Sequence, residues 1–452
     1  MAAVLSPATE ELIRRLDVPA PRYTSYPTVP MWSETFGPAS GLAALGRAAK
    51  APEAPLGLYV HIPFCKSRCS FCGCNVIVSR SREKADRYLD YLEKELDLVS
   101  AQLGARRNVS QLHWGGGTPT FLDIEQIERL HGMLTDRFDF LPGAERSLEL
   151  DPKVTTPEQI ETLARLGFNR LSMGVQDFDP YVQEGIRRIQ TFKATHDAVI
   201  HAREVGFTSI NFDLIYGLPR QTEQTWAETI DKVVALSPDR LAIYGFAFVP
   251  QAKPHQKSLP IAELPTPMDK HRLFRLAHAR LAKSGYEAIG MDHFARSDDE
   301  LCRAKHERRL GRNFQGYTVH AAPETVAVGL TAISDVGGAY VQNEAHLGRY
   351  ERALDAGQLP VVRGMNRSAD DDERRHIIHE LMCHGRVNLG PDADRRFAKE
   401  IAELDELMSL GLVAKEGTEL VLSPEGELFV RNVAKVFDAY LGTREQVMSR
   451  AV

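Results

Sequence analysis

The feature of this sequence that most constrains its fold is a repeated alternation of short apolar runs with longer segments of helical periodicity. Six apolar runs of strand length recur between residues 57 and 250. Amphipathic segments separate them, and in one of these Tyr88, Leu92, Leu96 and Val99 recur at steps of three and four residues. Strands that alternate with helices in this way form a parallel sheet covered by helices. The predicted strands are Leu58–Ile62, Gln111–Trp114, Ser147–Leu150, Arg170–Val175, Ile210–Ile215 and Arg240–Phe246.

Six such βα units predict an α/β fold built on an incomplete (β/α)6 barrel with extra strands, whose site lies at the carboxyl ends of the strands. We expect an N-terminal extension or lid over residues 1–50, a catalytic barrel over 51–365 and a small C-terminal domain over 366–452. The last segment reads as mostly helical and winged-helix-like, with helices predicted at Asp371–Cys383 and Asp392–Leu410 and a hairpin after them. The second of these helices is acidic, which favours a packing or lid role over DNA binding.

Composition narrows the class of protein. Hydrophobic residues make up 43% and charged residues 26% of the chain, as in ordinary globular proteins. The net charge of −6 argues against binding to nucleic acid or to anionic membranes. No long apolar run predicts a membrane span. The first residues lack a basic segment followed by a long apolar one, so we expect no signal peptide. Cys302 and Cys383 stand alone in the sequence, so we expect a reduced, cytoplasmic protein without a disulfide framework.

The other four cysteines lie within ten residues, as Cys65, Cys69, Cys72 and Cys74 in the spacing C-x3-C-x2-C-x-C. A cluster of soft thiolates in one loop indicates a bound metal or an iron–sulfur centre. A zinc knot is the alternative, but zinc ligands usually come as two separated pairs. The pattern therefore favours iron–sulfur, although the spacing does not decide which three of the four cysteines bind iron. If three of them hold a four-iron cluster, one iron stays open to a small molecule.

Glycines and polar residues follow the later strands. The segment Trp114–Thr120 contains three consecutive glycines, which let a ligand approach the backbone closely. Glu149, Gln176 and Asp213 stand at the ends of later strands, and Arg188 follows the fourth. A carboxylate there can bind ribose hydroxyls, and an arginine can bind a carboxylate in a two-pronged geometry. Each of these polar residues alone is more typical of the rim of a barrel than of a ligand site. The glycines alone are as typical of a tight turn as of a ligand contact.

The run C-x3-C-x2-C with Phe71 before its third cysteine resembles the radical S-adenosylmethionine superfamily. The resemblance implies a radical-SAM barrel in which Cys65, Cys69 and Cys72 hold a [4Fe–4S] cluster. It also implies that the open iron chelates the amino and carboxylate groups of S-adenosylmethionine. An electron from the cluster would then cleave this cofactor to methionine and a 5′-deoxyadenosyl radical, which takes hydrogen from the substrate.

Further segments, in one order along nearly the whole chain, resemble the oxygen-independent coproporphyrinogen III oxidases. They are Pro21–Thr28, Tyr59–Cys65, Cys74 with Asn75, Arg170–Asp177, Asp213–Pro219, Gly290–Ala295 and Arg312–Tyr317. This resemblance implies oxidative decarboxylation of two propionates of coproporphyrinogen III to vinyl groups, giving protoporphyrinogen IX in heme biosynthesis. It implies a monomer that binds a tetrapyrrole and exchanges electrons with a donor and an acceptor of unknown identity.

The family also implies roles for individual residues and two molecules of S-adenosylmethionine. Cys74 and Tyr59 match catalytic positions, and Cys74 is not an iron ligand in that scheme. The positions contacting the cofactor on the cluster are Tyr59, Gly116, Glu149 and Ile333. Those contacting the second molecule are Phe71, Gly117, Thr118, Gln176, Arg188, Asp213 and Ala247.

Heme-binding chaperones of the same superfamily branch are the alternative function. They share three cysteines and the glycine segment, but lack Cys74, the Pro21–Thr28 type of segment and a Met-Asp-His-Phe sequence, all of which this chain has. A substrate with four propionates calls for cationic groups, so Arg22, Arg296 and Arg312 are candidate substrate ligands. Asp292 and His293 are as typical of a proton-handling pair as of a core pair.

Overall fold

The computed structural model of the chain describes residues 7–319 and 322–443. These residues divide into two compact units. The barrel unit comprises Ser33–Leu273 and Ala322–Asn366, and the flanking unit comprises residues 7–32, 274–319 and 367–443. The predicted boundaries at 1–50, 51–365 and 366–452 stay a prediction. Among the described residues, no helix has both the length and the apolar character that a membrane crossing requires.

The strands, numbered in chain order, are β1 (Leu56–Ile62), β2 (Phe64–Cys65), β3 (Ile77–Val78), β4 (Asn108–Gly116), β5 (Asp139–Leu150), β6 (Arg170–Gln176), β7 (Ser209–Tyr216), β8 (Arg240–Gly245), β9 (Tyr286–Gly290), β10 (His293–Arg296), β11 (Gly311–Asn313), β12 (Gly316–Thr318), β13 (Glu324–Val328), β14 (Ile333–Val336), β15 (Ala339–Asn343), β16 (Val361–Asn366), β17 (Arg386–Asn388), β18 (Val413–Glu416) and β19 (Glu419–Leu422).

The α-helices are α1 (Pro7–Leu16), α2 (Pro38–Ala48), α3 (Arg82–Leu103), α4 (Ile124–Thr135), α5 (Pro157–Arg165), α6 (Pro180–Gly185), α7 (Phe192–Glu204), α8 (Glu223–Leu236), α9 (Pro267–Lys283), α10 (Glu300–His306), α11 (Leu347–Asp355), α12 (Ala369–His384), α13 (Ala393–Arg396), α14 (Ala398–Glu403), α15 (Asp405–Ser409) and α16 (Val430–Ala434). Short 3-10 helices lie at Val29–Met31, Pro119–Phe121, Pro254–Ser258, Ile261–Glu263, Gly426–Phe429 and Lys435–Phe437.

The barrel unit is built on a mixed sheet in the order β16-β15-β14-β13-β1-β4-β5-β6-β7-β8. The run from β13 through β1 and β4 to β8 is parallel, whereas β13 to β16 pair antiparallel. All six predicted strands are confirmed, and β13 to β16 supply the predicted extra strands. Leu58, Val60 and Ile62 of β1 are at most 5% exposed, as expected of a strand covered on both faces.

Local capping sequences set where the crossover helices begin. Asp123 precedes α4, and its side chain accepts a hydrogen bond from Gln126 N while the Gln126 side chain bonds back to Asp123 N. This capping box satisfies two backbone N–H groups at the start of α4. Thr156 and Gln159 form the same arrangement at α5. The helices therefore start at positions encoded locally, and their apolar faces pack on the sheet.

A buried carboxylate fixes the connection between β13 and β14. Glu95 on α3 is 1% exposed and accepts hydrogen bonds from Tyr350 Oη (2.5 Å), Asn343 Nδ2 (2.6 Å) and Gly329 N (2.8 Å). Tyr88, about two helical turns earlier on the same face of α3, donates to His61 O (2.7 Å) and accepts from Leu330 N (3.0 Å). The end of β1 and the turn after β13 are thus bound to the same helix.

The flanking unit contains the β9–β10 and β11–β12 hairpins and a three-stranded sheet in the order β17-β19-β18. Its hydrophobic core includes Ile289, Leu301, Tyr317 and both isolated cysteines, Cys302 and Cys383. Both of these thiols are buried and free.

The C-terminal segment is helical with a small sheet, as predicted, but it differs in one element. The predicted helix Asp371–Cys383 is confirmed as α12, and the predicted hairpin as β18–β19. The prediction of one helix over Asp392–Leu410 is wrong, because the chain forms α13, α14 and α15 instead. Phe397, at φ −117° and ψ 29°, breaks the helix so that its buried ring can pack 5.8 Å from that of Phe437. Helices α1 and α2 were not anticipated by the sequence.

We expect Glu95 to make the free energy of unfolding depend on pH. Burial raises its pKa to about 7, against the hydrogen bonds that favour the carboxylate. The folded state therefore holds a proton between pH 4.5 and 7 that the unfolded chain has lost, so stability decreases as pH rises across that window. Glu95→Gln should remove a slope of up to about 1.4 kcal/mol per pH unit, measured by anaerobic urea unfolding at pH 5, 6 and 7. Glu93→Gln, whose side chain is 41% exposed, is the control. Equal slopes in wild type and Glu95→Gln would contradict the expectation.

Candidate active site

The four clustered cysteines lie on a loop that is closed at its base by a short parallel ladder. Strands β2 and β3 pair Phe64 with Ile77 and Cys65 with Val78. Ile77 N donates to Pro63 O (2.7 Å) and Ser79 N to Cys65 O (3.0 Å). Within the loop, Arg68 Nη2 donates to Val76 O (2.9 Å). We call residues 65–76 the cysteine loop. Its ladder holds four thiols at the carboxyl end of β1.

The thiols have different surroundings. Cys65 Sγ lies 3.4 Å from Thr118 Oγ1, and burial raises the pKa of Cys65 to about 11. A hydrogen bond from Cys74 to Cys72 lowers the pKa of Cys72 and raises that of Cys74. Cys74 is exposed, whereas Cys65, Cys69 and Cys72 are half-buried. The thiolate is the form that binds iron, so the bond from Cys74 favours the ligating form of Cys72.

Across residues 7–319 and 322–443, no three His, Cys, Asp or Glu side chains are grouped so as to hold a single metal ion.

The glycine segment packs directly against the start of the cysteine loop. Gly117 N donates to Ile62 O (2.8 Å) and Thr118 N to Phe64 O (2.9 Å). A Cβ at Gly117 would lie 2.6 Å from Phe64 O, so a side chain cannot be accommodated there. Gly116 has φ +117°, in a region that favours glycine, and a Cβ on it would meet the His61 ring. The glycines therefore allow the backbone of this segment to lie directly against the backbone of residues 62–64.

Tyr59, His113 and Glu149 lie side by side on β1, β4 and β5. The rings of Tyr59 and His113 stack at 5.9 Å, and Tyr59 Oη lies 3.0 Å from His61 Nδ1. Glu149 Oε2 accepts from Gly116 N (3.0 Å), and its Oε1 lies 3.4 Å from His113 Nε2. Burial alone would raise the pKa of Glu149, but His113 and the Gly116 N–H hold it below its usual range. Burial lowers the pKa of His61 to about 4, so that ring is neutral. Glu149 remains an anionic acceptor beside the glycines.

Arg188 connects the cysteine loop with β5 and β6. Its side chain is 8% exposed and donates to Asp151 Oδ2 (3.0 Å), Gly174 O (2.6 Å) and Gln190 Oε1 (3.2 Å). Its Nη1 also lies 3.7 Å from Cys69 Sγ. The Nε atom of Arg188 is buried and has no hydrogen-bond partner among the described residues. A buried cation with a free donor, next to a thiol, is suited to an anionic group that lies on this loop.

Phe71 and Ala247 are joined by a residue that the sequence did not indicate. Gln256 is 1% exposed, and its Nε2 donates to Phe71 O (3.1 Å) and to Ala247 O (3.2 Å). Phe71 itself packs on a core of Val182, Ile186, Leu218, Phe246 and Leu259.

Neighbours of Gln256 also bind the cysteine loop. His255 Nε2 lies 2.8 Å from Cys72 O, Lys253 Nζ donates to Cys74 O (3.3 Å), and Ser258 Oγ donates to Ser70 Oγ (3.3 Å). We call residues 253–258 the clasp. Its only signal in the sequence is a polar run that follows the last strand of the parallel sheet.

The remaining predicted residues of the barrel unit occupy strand positions. Asp213 accepts from Ser172 Oγ (2.9 Å) and Asn211 Nδ2 (3.0 Å), on neighbouring β6 and β7. Gln176 ends β6 at φ +68°. Ile333 is the first residue of β14, half-buried, and pairs with Gln342. The structure thus brings Thr118 and Arg188 into direct contact with the cysteines. Gly117 bonds to the chain that leads into the cysteine loop, Glu149 bonds to Gly116, and Gln256 links Phe71 with Ala247.

The predicted substrate residues lie in the flanking unit. Arg22 pairs with Asp292, whose other oxygen lies 2.9 Å from His293 Nδ1. Arg312 Nη1 donates to Arg22 O (2.7 Å) and Tyr23 O (2.6 Å). Arg296 forms a two-pronged pair with Asp298 (3.0 Å for both bonds). Arg22, Asp292 and Arg312 are therefore one cluster.

Comparison with known proteins agrees with this geometry. Residues 59–233 match the radical SAM superfamily. The chain is 44% identical to the oxygen-independent coproporphyrinogen III oxidase of Escherichia coli (strain K12), over 98% of each chain. The chain belongs to the oxygen-independent coproporphyrinogen III oxidases. A Synechocystis member of this family is 41% identical over 98% of this chain and 97% of its own. The solved structure of Escherichia coli coproporphyrinogen III oxidase, described as a radical SAM enzyme, superposes with a TM-score of 0.90 at 43% identity. It covers 96% of this chain and 99% of its own.

Membership of these oxidases confirms the family, the α/β radical SAM fold and the enzyme class predicted from the motifs. It does not favour the heme-binding chaperone. The superfamily implies a [4Fe–4S] cluster and S-adenosylmethionine as cofactors, and the zinc alternative falls away with it.

Proposed function

We propose that this protein oxidatively decarboxylates two propionate side chains of coproporphyrinogen III to vinyl groups, giving protoporphyrinogen IX in heme biosynthesis. The observation that supports this most strongly is the cysteine loop, packed on the glycine segment, in a chain that aligns with named oxidases over 98% of its length. Glu149 and Arg188 beside the loop supply an anionic and a cationic contact for a small zwitterionic cofactor.

The residues around the loop fit the two cofactors. Cys65, Cys69 and Cys72 would hold the cluster, and Tyr59, Gly116, Glu149 and Ile333 would contact S-adenosylmethionine on it. We extend the proposal to a second S-adenosylmethionine at Phe71, Gly117, Thr118, Gln176, Arg188, Asp213 and Ala247. When bound, cluster and cofactor together supply a reducing electron and a carbon radical that removes hydrogen from the substrate.

The chain's own groups orient and isolate that chemistry. Glu149 stays ionised because His113 and Gly116 N bond to it, so it can accept hydrogen bonds from ribose hydroxyls or an ammonium group. Gly116 and Gly117 admit a ligand to backbone distance. The charge of buried Arg188 is neutralised by Asp151, and its Nε–H has no hydrogen-bond acceptor among the described residues. This N–H can therefore donate to a bound ligand. These groups are positioned before binding, which lowers the cost of ordering the cofactor.

The activity is tested by anaerobic incubation of the iron-loaded protein with a reductant, S-adenosylmethionine and coproporphyrinogen III. We expect two equivalents of carbon dioxide and a divinyl product, measured by gas analysis and liquid chromatography after oxidation to the porphyrin. Stoichiometric binding of heme with no carbon dioxide released would identify a heme carrier and reject the proposal.

Cys74 is proposed as a catalytic residue and not as an iron ligand. We expect Cys74→Ser to retain the iron content and the near-ultraviolet absorbance of the reconstituted protein and to lose turnover by more than tenfold. Its thiol reaches Cys72 and is exposed, so its loss leaves three ligands in place. Cys69→Ser is the matched variant and should lose iron. Loss of iron from Cys74→Ser would instead place Cys74 among the ligands.

Among the three candidate substrate arginines, we propose that Arg312 binds a propionate. Arg22 and Arg296 are neutralised by Asp292 and Asp298, whereas Arg312 has no carboxylate partner among the described residues and its Nε is buried and unpaired. Arg312→Gln should raise KM for coproporphyrinogen about tenfold or more, as for the loss of a charged hydrogen bond. KM for S-adenosylmethionine should not change, and Arg312→Lys should restore part of the affinity. Arg296→Gln is the control, and equal KM values for both glutamine variants would count against the assignment.

A further inference from the structure

We propose that the basic rim of the cysteine loop is a docking surface for an acidic one-electron carrier protein. The basic rim consists of Lys66, Arg68, Arg187, Lys253 and Lys257. This inference rests on the proposed function, because a reductive cofactor cleavage needs one electron delivered to the cysteine loop for each event.

Hydrogen bonds place all five cations around one loop. Lys66 and Arg68 belong to the loop itself. Arg187 follows Ile186, whose carbonyl accepts from Ser70 N (3.1 Å). Lys253 donates to Cys74 O, and Lys257 stands between Gln256 and Ser258, both of which bond to the loop. The cations therefore come from three separate chain segments that converge on the same feature.

The charges of the rim are not neutralised within the protein. None of the five cations has a carboxylate partner in the part of the chain that the structure describes, and all except half-buried Lys253 are exposed. Other exposed cations of the barrel unit are paired, for example Arg87 with Glu351 and Lys94 with Asp355. The whole chain has a net charge of −6, so this local surplus of positive charge differs in sign from the protein as a whole. Such a patch attracts a negatively charged partner and orients it during the encounter.

Apolar side chains accompany the charges. Ile189 is 59% exposed and Val78 is 47% exposed, and both stand within two residues of the segments that bond to the loop. Gly73 and Cys74 of the loop are also exposed, so part of the loop is accessible to a partner bound at this rim. A few apolar side chains surrounded by charge are typical of the small interfaces that redox partners form transiently.

The need for an electron at the cysteine loop favours a carrier protein over other negatively charged molecules as the partner of the basic rim. The substrate and polyanions such as DNA are also negatively charged, but neither delivers an electron. A carrier with an acidic surface gains both steering and close approach to the cluster ligands. In each encounter the reduced carrier loses one electron and the four-iron cluster gains it, so the transfer balances without another reactant.

The experiment follows cluster reduction by stopped-flow absorbance in the reconstituted protein, with a reduced recombinant flavodoxin, an acidic carrier, as the probe. The test variant is Arg187→Glu/Lys257→Glu, which leaves every cysteine and every proposed cofactor contact intact. We expect its second-order rate constant to fall about tenfold or more at low ionic strength, and its salt dependence to flatten. The dissociation constant for flavodoxin, measured by titration calorimetry, should rise in parallel.

Two controls separate docking from damage to the loop. Lys50→Glu/Arg107→Glu reverses two exposed cations that have no carboxylate partner among the described residues. They precede β1 and β4 and so lie at the opposite edge of the sheet, and this variant should behave as wild type. The methyl viologen radical cation should reduce the test variant as fast as wild type or faster, because its charge is positive. A slower reaction with methyl viologen, or no change with flavodoxin, would overturn the proposal. A rise only in KM for coproporphyrinogen, or salt-sensitive DNA binding in place of flavodoxin binding, would assign the rim to another anion.

The outcome does not depend on the decarboxylation assay. Cluster reduction is measured without coproporphyrinogen, so a wild-type protein that is reduced by flavodoxin and yields no vinyl product would refute the proposed function while leaving the docking surface intact.

Discussion

Two backbone hydrogen bonds, from Gly117 N to Ile62 O and from Thr118 N to Phe64 O, hold the glycine segment against the chain that leads into the cysteine loop. They require Gly117 to lack a side chain, because Phe64 O occupies the space a Cβ would need. The same contact brings Thr118 Oγ1 to Cys65. The positions of the first thiol and of the nearest backbone donors are thereby set together, so the cofactor meets a site whose parts do not move independently.

The electrostatics of the site are balanced over short distances. Glu149 is held anionic by an imidazole and a backbone amide, and buried Arg188 is matched by Asp151. His61 contributes bulk without charge because burial keeps it neutral. An overall neutral lining lets the protein bind a charged cofactor without a large desolvation penalty on its own groups. The surplus charge lies outside, on the loop's rim.

Much of the barrel could be predicted from sequence because its signals are local. The six parallel strands were encoded by apolar runs, the start of α4 by Asp123 and Gln126, and the cysteine loop by its spacing. What could not be predicted depends on distant partners. The clasp acts through side-chain bonds to carbonyls about 180 residues earlier. Glu95 looks like any helix glutamate until Tyr350 and Asn343 surround it. The helix expected at 392–410 is broken at Phe397, whose ring packs in the core. The spacing of apolar residues in the sequence does not reveal that packing.

The position of β13 has a consequence for synthesis of the chain. Strand β1 lies between β4 and β13, and its residues 56–60 pair with 324–328 on one side. During translation the cysteine loop and its parallel neighbours emerge early, but that side of β1 has no partner until nearly three quarters of the protein has been made. An apolar strand with free backbone donors and acceptors is a template for aggregation. The nascent chain therefore passes through a long interval in which the edge next to the first cysteine needs shielding, and a chaperone that covers extended apolar strands would act at that point.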